Sequence, residues 1–230
     1  MSAQEIYIKV VQDGPYMVYG DPKIMEQIIV TDEKRISVGY EDGELYESNG
    51  VVALCRCGNS ENAPFCDGAH KHSNFNGTEY ASFEPFINGA DAIEGPRLTL
   101  LDNSDFCAYG RFCDAGERVW KLTQLGHDEL ATREACDCPA GRLVMLDEND
   151  TPIEPSFEPT LAMLEDTALK ISGPIWVKGG VRVESADGRS YEVRNRQTLC
   201  RCGQSENKPF CNGAHAAPSV RYKANKRKGI

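Results

Sequence analysis

The chain has 230 residues, with 35 Asp and Glu against 25 Lys and Arg, for a net charge of −10. That balance excludes the basic face with which a nucleic-acid surface replaces counterions on phosphates, and no run of 18 apolar residues offers a membrane span. Apolar content is 40% and mean hydropathy −0.46, so the buried core is modest and one to three small domains are expected.

The opening stretch "MSAQEIYIKVVQDG" has neither the basic start nor the apolar run of a secretory signal, so a cytoplasmic location is expected. From Gly14, "GPYMVYGD" reads as a short alternating strand opened by a Gly-Pro turn. "YEDGELYES" (40–48) reads as a polar hairpin with Gly43 at its turn, and "LCRCGNSENAPFCDGAH" (54–70) follows. Beyond it, "RLTLLD" (97–102) and "RVWKLTQ" (118–124) alternate like strands. "HDELATREACDC" (127–138) reads as a helix with acidic residues early. "RLVMLDE" (142–148) reads as a further strand, closed by the turn "NDTP". At Gly173 the first pattern returns as "GPIWVKGG", then a hairpin-like "ESADGRSYEV" (184–193), then "LCRCGQSENKPFCNGAH" (199–215). The tail "RYKANKRKGI" packs five cations into ten residues; it reads as a solvated end or as a docking patch for an acidic partner.

Fourteen of the seventeen positions in the two cysteine-rich stretches are identical. The flanking strands and turns correspond as well, with about fourteen extra residues in the first copy around "VTDEKRISVGYEDG". The chain is therefore read as two homologous units, 1–88 and 171–230, separated by a different segment, 89–170.

Ten cysteines with no export signal point to metal binding rather than disulfides. Three C-x-C pairs occur, Cys55/Cys57, Cys136/Cys138 and Cys200/Cys202, and a disulfide across one residue is strained. Each repeat reads C-x-C-x8-C-x3-H: Cys55, Cys57, Cys66 and His70, then Cys200, Cys202, Cys211 and His215. Three thiolates and an imidazole suit zinc or an iron–sulfur cluster. The last two donors are four apart, which would place them on one helix face. Asp67 and Asn212 would accept hydrogen bonds from that helix's first turn, and Pro64 and Pro209 would stiffen the entry. The middle segment holds the remaining cysteines, Cys107, Cys113, Cys136 and Cys138, as C-x5-C-x22-C-x-C. Four thiolates suit an iron–sulfur cluster or zinc, although the spacing matches neither common ferredoxin run. Arg56 and Arg201, inside the C-x-C pairs, read either as offsets to a cluster's charge or as solvated loop residues. His72 reads as solvated, His127 as solvated or as a cap on the middle helix, and Phe65, Phe75 and Phe210 as core around the sites.

The pattern C-x-C-x2-S-x3-P-x-C-[D/N]-G-A-H resembles the CDGSH iron–sulfur domain of mitoNEET and its relatives. Ser60, Pro64 and Gly68, and Ser205, Pro209 and Gly213, fall on it. The chain departs from it at Ala69 and Ala214, where the family has Ser, and at Asn212, where it has Asp; none is a ligand position. The resemblance implies a [2Fe–2S] cluster on Cys55, Cys57, Cys66 and His70, and another on Cys200, Cys202, Cys211 and His215. The middle segment, with "CPAGRL" at its last cysteine, loosely resembles divergent ferredoxin-like 4Fe–4S domains. That implies a third centre on Cys107, Cys113, Cys136 and Cys138, an iron–sulfur cluster or zinc. Three thiolates and a neutral imidazole carry one negative charge less than four thiolates, so such a site takes an electron more readily.

The expected fold is α+β and β-rich: two CDGSH-type units paired as an intramolecular pseudo-dimer, with a ferredoxin-like domain inserted between them. Single-motif relatives form homodimers, and here the second copy can cover the first copy's exposed edge, so a monomer is expected. No catalytic dyad, phosphate loop or substrate motif is visible. The expected function is electron transfer or cluster donation rather than enzymatic turnover, with a redox partner or an apo iron–sulfur acceptor and with no nucleic acid or membrane. A redox or iron sensor and a zinc-stapled interaction module are the competing readings.

Overall fold

A computed structural model describes residues 5–48 and 50–217; the basic tail lies outside them. The strands are β1 (Tyr7–Val10), β2 (Tyr16–Tyr19), β3 (Lys23–Thr31), β4 (Ser37–Tyr46), β5 (Val52–Leu54), β6 (Asp91–Glu94), β7 (Thr99–Asp102), β8 (Leu143–Leu146) and β9 (Pro152–Ile153). They continue with β10 (Thr160–Asp166), β11 (Ile171–Lys178), β12 (Arg182–Glu184) and β13 (Arg196–Leu199), and two short helices are present, α1 (Val119–Leu125) and α2 (Asp128–Cys136).

In β2 the alternation of "YMVY" buries Tyr16 and Val18 and leaves Met17 and Tyr19 at the other face, as a half-buried strand requires. β2 pairs antiparallel with β1 and β5. β11 repeats this with β10 and β13. The registers correspond residue for residue: Tyr16 faces Val10 and Leu54, and Ile175 faces Met163 and Leu199. Each sheet is then completed by the other half. β3 follows β2 in the chain but pairs in parallel with β10, and β12 follows β11 but pairs in parallel with β1. The expected pseudo-dimer is thus built by reciprocal strand exchange, and the exchanged strands are those that follow the "GPYMVYGD" and "GPIWVKGG" segments.

One apolar core lies between the two sheets. Ile8, Val10, Tyr16 and Val18 from one meet Leu161, Met163, Ile175 and Val177 from the other. Burying each such side chain contributes roughly 1.5–3 kcal/mol, so both copies supply the same stabilising core. The second sheet is also covered on its far face. Met25, Ala162, Leu164 and Trp176 point there, and Tyr40 stacks on both Trp176 and Phe112, with ring centroids 4.7 and 4.6 Å apart. This is why β11 is buried on both faces along most of its length, whereas β2 is half-buried.

The middle segment forms an antiparallel sheet, β6-β7-β8-β9, packed on α1 and α2 through Leu100, Val119, Leu122, Ala131, Ala135 and Met145. Four expectations change here. "RVWKLTQ" is helical: Val119, Leu122 and Thr123 share a buried face, which fits period 3.6 as well as the apparent alternation. "YEDGELYES" is no hairpin. β4 runs through it as far as Tyr46, and the extra residues form the end of β3, the reversal and most of β4, with register shifts between Met25 and Gln27 and between Val30 and Thr31; the chain reverses at Asp32, whose carboxylate accepts from the Lys34 and Ile36 amides. Strand β10 pairs with β11, so the second sheet recruits residues from before position 171. Finally, no helix carries Cys66 and His70: only a 3-10 turn, Ala69–His72, forms there, with its counterpart at Ala214–Ala216.

Candidate metal centres

The two cysteine loops have the same construction. Leu54 bridges Phe65, and Leu199 bridges Phe210. The Cys55 amide donates to the Pro64 carbonyl at 2.8 Å and the Cys66 amide to Ala53 at 2.8 Å, a pattern repeated by Cys200 with Pro209 and by Cys211 with Thr198. This lays the third cysteine beside the C-x-C pair. The motif serine braces the intervening turn: Ser60 Oγ donates to the Phe65 carbonyl at 2.6 Å and Ser205 Oγ to Phe210 at 2.7 Å. The peptide bonds before Pro64 and Pro209 are cis. Asp67 and Asn212 accept from the amides of Ala69 and Ala214, as expected from their side chains, but at a 3-10 turn.

The donors come in pairs. Cys55 Sγ lies 3.8 Å from Cys57 Sγ, and Cys200 Sγ lies 3.7 Å from Cys202 Sγ. Cys66 Sγ lies 3.4 Å from His70 Nδ1, and Cys211 Sγ lies 3.4 Å from His215 Nδ1. A tetrahedral metal ion with bonds of about 2.3 Å to sulfur and about 2.0 Å to nitrogen holds two sulfurs about 3.7 Å apart and a sulfur and nitrogen about 3.5 Å apart. Every pair meets that spacing. Among the described residues no three His, Cys, Asp or Glu side chains converge as one ion would need. Each site thus offers two donor pairs, each at the spacing of one metal ion.

The Cys57 thiol hydrogen-bonds Cys55, pulling the Cys55 thiol below its usual range while Cys57 is pushed up; Cys200 and Cys202 divide in the same way. Burial raises Cys66 and Cys211, and the neighbouring Cys55 and Cys200 charges raise them further, so the pairs at each site sense each other. His215 is 6% exposed, and burial, helped by Arg201, lowers it to about 4.

Arg56 and Arg201 are buried, at 1% and 4% exposure, and neither is a solvated loop residue. Arg56 donates to the carbonyls of Val11 and Gly77 and lies over Tyr16 and Phe75. Arg201 donates to Gly173 and Leu164 and pairs with Glu165. Arg201 fastens its loop to β10 and β11, and Arg56 ties its loop to the segments at Val11 and Gly77. His72 and His127 are exposed, as expected, and Phe210 joins the core.

The two loops meet back to back. A Cβ at Gly58 would lie 2.9 Å from the Cys202 carbonyl oxygen, and one at Gly203 would lie 2.8 Å from that of Cys57. Both glycines have positive φ, 78° and 77°, so neither place tolerates a side chain. Tyr16 adds a link across the halves: its hydroxyl donates to Cys200 O at 2.7 Å and Pro209 O at 3.0 Å.

Of the middle cysteines, Cys107, Cys113 and Cys138 line one cavity of about 210 Å³ with Phe112, Trp120 and Arg142. Cys136 does not line it; its Sγ sits 3.5 Å from the Ile153 carbonyl. Burial pushes the Cys113 thiol up to about 12. The cavity abuts the second repeat, where Cys211 packs with Ala108, Ala140 and Cys138. Arg196, on β13, locks this junction and was not visible as functional in the sequence. Its guanidinium donates to the carbonyls of Ala135, Cys136, Cys138 and Leu143 and grips Glu154 through two nitrogens. The one sequence cue was its place in a short strand leading into Leu-Cys-Arg-Cys.

A twice-built loop with paired thiolate and imidazole donors defines a metal-binding protein with internal two-fold construction. Residues 13–71 and 172–216 match the family described as iron-binding zinc finger, CDGSH type. The two repeats belong to this family, in tandem; the match does not extend over the middle segment. No curated protein and no solved structure was found to match the chain.

Proposed function

We propose that each repeat holds one [2Fe–2S] cluster, on Cys55, Cys57, Cys66 and His70 and on Cys200, Cys202, Cys211 and His215, for electron transfer or cluster donation. The observation that carries this is the pairing of the donors, one pair per iron, at 3.7–3.8 and 3.4 Å. A bound cluster supplies a one-electron couple. The protein's part is to hold it in a dry loop and to present histidine through Nδ1, which leaves Nε2 to carry a proton. Partners of matching chemistry are a one-electron carrier protein or an apoprotein with free thiolates, in a reducing compartment such as the cytoplasm, which suits ten unpaired cysteines.

The same reading gives the middle cavity a third centre, a cluster rather than a single ion, on Cys107, Cys113 and Cys138, which all line it. Iron and acid-labile sulfide analysis of anaerobically purified protein tests the assignment. A coloured protein with two irons and two sulfides per repeat is expected. Colourless protein with stoichiometric zinc and no sulfide refutes it and favours the zinc-stapled module.

A further inference from the structure

The two sites share their donors but not their surroundings. Cys211 and His215 are 2% and 6% exposed, whereas Cys66 and His70 are both only half-buried and Asp67 and Lys71 beside them are exposed. A roof causes the difference. The middle segment brings Ala108 and Tyr109 over the second loop: the position of a Gly213 Cβ is 3.1 Å from the Cys107 carbonyl oxygen and 3.6 Å from Tyr109 Cβ. With Ile29 and Leu164 from the second sheet, these residues leave about 10 Å³ around His215. Around the equivalent Gly68, a Cβ would meet nothing within 4 Å among the described residues. An open cavity of about 540 Å³ lies between the two loops, lined by Cys57, Asn59 and Asn74 of the first and by Gly203, Ser205 and Lys208 of the second, so the difference between the sites rests on the Cys66–His70 and Cys211–His215 sides.

We infer that the sites have divided the work, resting on the two-cluster reading above. The first repeat is the exchange site, which hands its cluster to an apoprotein with free cysteines. The second is a retained site, closed by the middle segment through Tyr109. Ligand exchange needs an incoming thiolate to reach iron, and the half-buried Cys66–His70 side of the first site leaves it room that the roofed Cys211–His215 side of the second does not. The transfer balances without redox change. The core moves intact; its bonds to Cys55, Cys57, Cys66 and His70 break as four form to acceptor thiolates. Four acceptor thiols lose protons, the three vacated cysteines take up three, and one goes to solvent.

The test follows visible absorption and circular dichroism of the full-length holoprotein at neutral pH in excess EDTA. Cluster loss should fall into two phases of similar amplitude, separated by about tenfold or more in rate, or about 1.4 kcal/mol in barrier. A further phase belonging to the middle site is recognised by its absence in Cys138→Ser. His70→Cys should remove the fast phase, and His215→Cys should leave it. Tyr109 has φ 56°, so Tyr109→Gly suits the backbone while removing the roof; it should speed the slow phase severalfold and leave the fast phase unchanged. A single common phase, a fast phase lost in His215→Cys but kept in His70→Cys, or an unaltered slow phase in Tyr109→Gly overturns the inference. Protein lacking four irons and four sulfides in the two repeats instead overturns the two-cluster reading, and this inference with it.

Discussion

Tyr16→Phe isolates one bond between the halves. Tyr16 belongs to the first repeat, yet its hydroxyl serves the second repeat's loop. The replacement keeps the ring, its 0% exposure and its contact with Arg56, and removes only the donor. The Pro209 carbonyl retains the Cys200 amide at 2.8 Å, so the loss falls on the Cys200 carbonyl. Leaving one buried acceptor unmet costs about 1–3 kcal/mol. In a chain of this size, each kcal/mol lowers the melting temperature by about 2–4 °C, so a fall of roughly 2–12 °C is expected. Chemical denaturation followed by circular dichroism measures the free energy, and calorimetry the midpoint. Because the bond ends at Cys200, metal loss should accelerate at the second site and not at the first. An unchanged midpoint, or acceleration at the first site alone, would refute the reasoning.

Replacing Arg196 by Leu strands Glu154 and several carbonyls, and should cost about 3–5 kcal/mol in urea unfolding; Arg196→Lys should recover only part, since one ammonium cannot reproduce the two-nitrogen grip. In metal-free protein His215 titrates near about 4 when folded and near about 6.5 when unfolded. The unfolded chain then binds more protons between these values, so stability should be full above about pH 6.5 and fall by up to about 3 kcal/mol as pH drops towards 4; urea midpoints across that range, with His215→Asn as the flat control, decide it. In the middle segment, Cys138→Ser should lose the third centre's metal while Cys136→Ser keeps it, as read by metal analysis; equal loss in both would restore a four-cysteine site.

The metal donors were legible because spacing is a local property and the chain repeats it: Cys55 to His70 and Cys200 to His215 needed no knowledge of the fold. Pairing was legible too, since a half-unit must cover its edge. Which strands cross was not. "KIMEQIIV" carries a strand's composition, but nothing in it chooses β10 over β2 as neighbour, because that choice is made by the core residues of both halves together. The "RVWKLTQ" segment satisfied two periods at once, and tertiary burial of Val119 and Leu122 decided between them. Four-apart spacing suggested a helix for Cys66 and His70, yet a turn achieves the same convergence. Arg196 carried little signal beyond its place before Leu-Cys-Arg-Cys, since one guanidinium among 25 cations acquires its role only when five separate backbone and carboxylate groups are folded around it.

Strand exchange also sets a timetable for biogenesis. β1 leaves the ribosome early but pairs with β12, which is encoded roughly 170 residues later; at about 5–20 residues/s this is a wait of roughly 10–30 s. For that time the nascent first repeat has its C-x-C thiols made, its outer strand unpaired and its back-to-back partner loop not yet translated. A cluster delivered then would meet an unfinished pocket, and the bare edge would invite pairing with a neighbouring nascent chain. Closure of both sheets therefore waits until both repeats have been made.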